Sequence, residues 1–265
     1  MNSWKRVAET VAIVGSVALC VIVAGPGGAL ENLLLPLFGG AENPAERLQE
    51  LAFGIPLAIL LVPGLALWAW SPHLRPAGAA LTVVATLTVT IDLAVEGRLT
   101  PLAWLLLSAL WLQGLYQVVT LPRLGPVRHR PPALLLAVLA GAAPWIAHVV
   151  GLMLAEMRGD SGRGEHVIVI TFALAIVLLL ASPLVRPSAF GPAGTAAAVG
   201  AIIYALASLR WPVPAAALAR VAALLAIATA VAYIDTVRQL STRGSQLAGG
   251  PESEPDNGAP GDQPR

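Results

Sequence analysis

Charged side chains are scarce in this sequence, so the few that fall inside its apolar runs are where chemistry can reside. Arg220 lies about seven residues into the last such run, Asp92 near the end of the third, and His148 within the fifth, after Pro144 and Trp145. Glu31 and Asn32 follow a Gly25-Pro26-Gly27-Gly28 break. In hydrocarbon an unpaired charge costs several kcal/mol, which makes Arg220, Asp92, His148 and Glu31 candidate substrate-binding residues; Asn32 joins them as the counterpart of His148, 116 residues earlier. An Asp92–Arg220 pair would cancel much of that cost, either as glue between helices or as a site for a charged substrate. Arg220 also has a stem long enough to snorkel to the headgroups. His148 can relay protons, because imidazole titrates near neutrality, or it can make a packing hydrogen bond. The break at residues 25–28 reads first as the ordinary end of a span. Its second reading is a discontinuous helix whose freed backbone groups line a cavity, as transporters use.

The elements that must position these residues follow from composition. Of 265 residues 57% are hydrophobic and 12% charged, and the mean hydropathy is +0.76. That is too few charges to clothe a water-soluble exterior. A membrane-crossing helix needs about 20 apolar residues. Eight runs qualify, at about 9–30, 51–70, 78–95, 100–121, 132–155, 167–185, 192–209 and 213–234. The expected fold is all-α, a polytopic membrane helical bundle of about eight transmembrane helices. Trp68, Trp70 and Trp211 stand near span ends, where amphipathic rings favour the interface.

Charge asymmetry orients the bundle. Nine basic residues (Lys5, Arg6, Arg75, Arg123, Arg128, Arg130, Arg186, Arg238 and Arg243) fall on one side, against five (Arg47, Arg98, Arg158, Arg163 and Arg210) on the other. The second side also carries Glu42, Glu46, Glu50, Glu96, Asp160 and Glu165. The positive-inside rule places both termini in the cytoplasm, with the bundle in the plasma membrane. A signal peptide cleaved near Ala29 is the competing reading of the first run. Residues 241–265, rich in Gly, Pro, Ser, Glu and Asp, read as a disordered cytoplasmic tail. Arg outnumbers the lone Lys5 and Ala is abundant, a usage associated with GC-rich bacterial genomes.

A duplication is legible in the spacing. SPHLRP (71–76) recurs as SPLVRP (182–187), 111 residues on, and Arg98 matches Arg210 at 112. Glu50 matches Glu165 at 115, and Ala24-Gly25 matches Ala140-Gly141 at 116. Residues 1–126 and 127–240 therefore read as two four-span units, a 4+4 parallel internal repeat related by an axis along the membrane normal. The register makes Asn32 the counterpart of His148. The seam between the halves is the expected place for a polar cavity.

The remaining polar residues predict packing. Gln113 and Tyr116 should make interhelical hydrogen bonds, and Gly191, Gly194 and Gly200 should let a neighbour approach closely. Glu156 should mark the far end of the fifth span. Several chemistries have no residues to support them. Cys20 is the lone cysteine, so no intrachain disulfide forms. Paired membrane histidines for haem, an HExxH zinc motif and a Walker A lysine are all missing. No catalytic residue, metal ligand or cofactor is called for, and no basic face suits nucleic acid.

The expected function is a transporter or permease-like subunit with a polar site between two four-helix halves. Its partners would be the lipid bilayer and, where nucleotide is needed, other membrane subunits or an external ATPase. Two alternatives compete. One is a non-transporting membrane scaffold or accessory subunit. The other is a membrane enzyme acting on a lipid-linked substrate through the acidic loops Glu42–Glu50 and Arg158–His166.

Overall fold

A computed structural model describes residues 3–25, 29–38, 43–97, 100–121, 131–158, 165–213 and 216–248, and among them every regular element is helical. Apolar sequence surrounded by hydrocarbon permits little else, because each backbone N–H and C=O must find its partner within the segment. Asn43 caps its helix by accepting from the Ala45 N–H at 3.0 Å, and Thr100 does the same for the Ala103 N–H at 3.2 Å. Pro44, Pro101, Pro132 and Pro187 open helices, where a missing N–H costs nothing.

The first span is α1 (Ser3–Ala24) followed by α2 (Ala29–Phe38). The chain is helical on both sides of the glycine break, and residues 26–28 themselves lie outside the described residues. The second span runs through α3 (Pro44–Ile55), a π-helical stretch (Pro56–Leu61) and α4 (Val62–Trp70). Pro56 and Pro63 bring no N–H, and the Val62 N–H reaches back five residues to the Leu57 carbonyl. Glu46 and Glu50 are therefore helical rather than loop residues, and Glu42 lies outside the described residues.

The rest is α5 (Arg75–Val95), α6 (Pro101–Val119), α7 (Pro132–Arg158), α8 (Glu165–Ala181), α9 (Pro187–Arg210) and α10 (Arg220–Ala248). SPHLRP and SPLVRP each fold as a 3-10 turn (Pro72–Leu74 and Ser182–Leu184) that feeds a proline-opened helix. Eight helical stretches, counting α1 with α2 and α3 with α4, are long and apolar enough to cross a membrane. Their outward faces carry exposed Leu102, Leu105, Leu112, Leu136 and Val221, a belt that water would not tolerate. The fold is compatible with a multi-pass membrane protein.

α1 packs on α4 and α6, and α5 on α4 and α6; in the second group α7 packs on α8 and α10, and α9 on α8 and α10. The two groups meet where α3, the π stretch and α5 lie against α8 and α9. That seam is filled with Ile55, Leu60, Leu61, Phe172, Ile176 and Ala197, all fully buried. A side-chain atom at Gly200 would come within 2.8 Å of Ile55, so the glycine lets the halves close. Trp145, Phe172 and Tyr204 stack with centroids 5.0 to 5.9 Å apart just behind it. The polar cavity expected along this seam is replaced by close apolar packing.

Three sequence expectations change with the fold. The last helix begins at Arg220, not near residue 213, because the described residues between 211 and 219 form an irregular entry. It continues to Ala248, past the expected start of the tail, and residues 249–265 lie outside the described residues. Trp68 is buried beneath Arg75 and edge-on to Tyr116, whereas Trp70 is exposed as expected.

Candidate functional site

Two neighbouring cavities that share lining residues lie within the first helix group, beside α2. The mouth, about 520 Å³, is lined by Asn32 of α2, by Glu46, Gln49, Glu50 and Phe53 of α3, and by Leu93 and Glu96 at the end of α5. Below it an apolar cleft of about 290 Å³ shares Asn32, Phe53 and Leu93 and continues past Ile22, Leu57, Val89 and Leu107. The residue types follow from helical spacing: Glu46, Gln49, Glu50 and Phe53 fall on one face of α3 at steps of three and four. Leu93 and Glu96 repeat that step.

Close backbone approach shapes the mouth. A side chain at Gly54 would run into the Asn32 carbonyl and the Leu33 amide, so only glycine lets α2 sit against α3 here. Electrostatics favour cations. Three carboxylates line the mouth, and among the described residues no basic side chain does. Arg47, between Glu46 and Glu50 in sequence, lies instead over the Trp211 ring at 5.3 Å. Arg210 covers the same ring at 5.2 Å, so the sandwich ties α3 to the end of α9.

The five sequence-predicted residues are not gathered into one site. Asn32 lines both cavities, while its neighbour Glu31 is exposed on α2. Asp92 is fully buried between the two helix groups, 2.6 Å from the Thr171 hydroxyl of α8. It does not pair with Arg220, which stands exposed at the first residue of α10. His148 is half-buried on α7, facing the Ala216 carbonyl, and its Nε2 has no hydrogen-bond partner. It lines a groove of about 360 Å³ with Ala147, Gly151, Ala217 and Ala222. Asn32 and His148, counterparts in the expected register, each border an opening. Arg98, the other half of the Arg210 match, lies outside the described residues.

No family model, curated protein or solved structure matches this chain.

Other polar residues act as links. Gln113 of α6 donates to the Ser16 hydroxyl at 2.6 Å and to the Ala12 carbonyl at 3.3 Å, as expected of it, whereas Tyr116 makes its contact through the ring. At the other end of the first group, Arg75 and Glu9 form an ion pair 2.8 Å apart that ties α5 to α1. His166 is buried at the start of α8 with Nδ1 3.1 Å from Glu156, closing the far end of the α7–α8 pair. Sequence alone assigns no partner to His166 or Thr171, and Thr171 carries no signal beyond being a hydroxyl in an apolar run. The mouth carboxylates are legible as acidic residues on one side, but nothing in their spacing shows that Glu96 joins Glu46 and Glu50. Among the described residues no three His, Cys, Asp or Glu side chains cluster as a metal site.

Proposed function

We propose that this chain is a permease-like membrane protein that admits a cationic amphiphile, an organic cation with an apolar body, through the cleft of its first helix group. The observation that carries the reading is the sharing of Asn32, Phe53 and Leu93 between an acid-lined mouth and an apolar cleft. A carboxylate-lined entrance selects positive charge, and the cleft below takes apolar surface. The broken helix beside it supports transport, since discontinuous spans let a membrane protein line a polar cavity and rock around it. The charge bias of the connections supports a plasma-membrane placement with the mouth outward. The two four-helix groups read as duplicated units, supported by the paired 3-10 turns. The dry seam between the groups favours a second reading, an accessory subunit that packs without transporting.

The test uses the full chain in lipid nanodiscs and in proteoliposomes with tetraphenylphosphonium as probe. Expected are saturable, salt-sensitive binding, a loss of about tenfold or more in affinity on combined Glu46→Gln, Glu50→Gln and Glu96→Gln substitution, and protein-dependent uptake. Binding without uptake would favour the accessory subunit. Absence of binding to correctly folded wild-type protein would overturn the cleft as a cation site.

A further inference from the structure

We infer that Asp92 is a proton-binding site on the seam between the two helix groups, neutral in this packed state and ionised only when the seam opens. Asp92 is the one buried carboxylic acid among the described residues. Its Oδ1 is 2.6 Å from the Thr171 hydroxyl oxygen, and that oxygen is also 2.9 Å from the Ile168 carbonyl. Thr171 has a single hydroxyl hydrogen and cannot give it to both. With a proton on Asp92 the chain closes: the carboxyl donates to Thr171, and Thr171 donates to Ile168. Without it Thr171 must desert Ile168, and a negative charge remains in an apolar seam.

The second carboxyl oxygen has nothing to bond. Oδ2 is buried with no hydrogen-bond partner, an arrangement tolerable for a neutral acid and very costly for an anion. The surroundings offer no compensation. Glu96, one turn further along the chain at the cap of the same helix, is also acidic. Thr171 is the group that α8 presents, and none of the ion pairs among the described residues joins Asp92 to α4, α6, α8 or α9. The two Asp92 oxygens and the Thr171 hydroxyl are too few for a metal cation, which takes about six oxygen ligands. The ligand is a proton.

The location gives the proton a use. α5 and α8 are central helices of opposite groups, and beside the Asp92–Thr171 contact they border a groove of about 150 Å³ lined by Thr88, Ile91, Leu174 and Leu178. Losing the proton favours any state in which Asp92 reaches water, so protonation and seam closure are linked by the same free energy. Coupling of that proton to solute movement rests on the permease reading; the proton site itself does not.

Infrared spectroscopy of the full chain in lipid needs no substrate and separates the two. Expected is a neutral-carboxyl C=O band that shifts in D2O, disappears in Asp92→Asn, and moves to higher frequency in Thr171→Val, which keeps the acid but removes its partner. On alkaline titration the band should fade together with a rise in deuterium uptake along α5 and α8. No such band in the wild type, or a band untouched by both substitutions, would overturn the site. Fading of the band without added exchange would overturn its link to the seam.

Discussion

The backbone of Asn32 lies directly against Gly54, with no room for even a methyl group between them. This contact joins α2 to α3 and sets the width of the acid-lined mouth, because Asn32 lines it from one side and Glu50 and Phe53 from the other. Gly54→Ala should push α2 outward and reshape both cavities at once. The expected result is a fall of about tenfold in tetraphenylphosphonium affinity, while the second helix group keeps its packing. Isothermal titration would measure the first, and hydrogen exchange along α8 and α9 the second. Unchanged affinity would show that the α2–α3 contact does not shape the site.

Gln113 holds α1 to α6 through Ser16, which is fully buried. Hydrogen bonds between membrane helices contribute about 0.6 kcal/mol on average and up to about 1.7. Gln113→Leu and Ser16→Ala should each lower stability by an amount in that range. The double variant should lose less than the sum, since both remove the same bond. Unfolding by mixed detergent would read all three, and strict additivity would contradict the pairing.

Glu9 pairs with Arg75 at one face of the bundle, and Glu46 lies at the mouth on the other. In a Cys20→Ala background, Glu46→Cys should react with an impermeant maleimide on intact cells. Glu9→Cys should react only after permeabilisation. Labelling of both from outside would break the alternation of spans, and the reverse pattern would turn the mouth toward the cytoplasm.

The sequence by itself determined the helical class and the count of eight membrane-length apolar stretches. Eight runs such as His166–Leu184 carry so little charge and so much apolar length that helices in hydrocarbon are the stable arrangement. Local rules also marked α9 as a surface for close packing, and the structure sets Gly194 against the Tyr233 hydroxyl, which donates to the Leu180 carbonyl at 2.9 Å.

Which polar groups meet was decided only by tertiary structure. Asp92 found Thr171, 79 residues away, rather than Arg220, because α5 packs on α8 and because α10 begins too late to carry its arginine inward. Glu96 joined Glu46 and Glu50 across the α3–α5 gap for the same reason. Hydrophobic period fixes which face of a helix turns inward, but apolar faces are interchangeable partners. The neighbour each one takes depends on shape: a missing side chain at Gly54 or Gly200, or a π turn between two prolines.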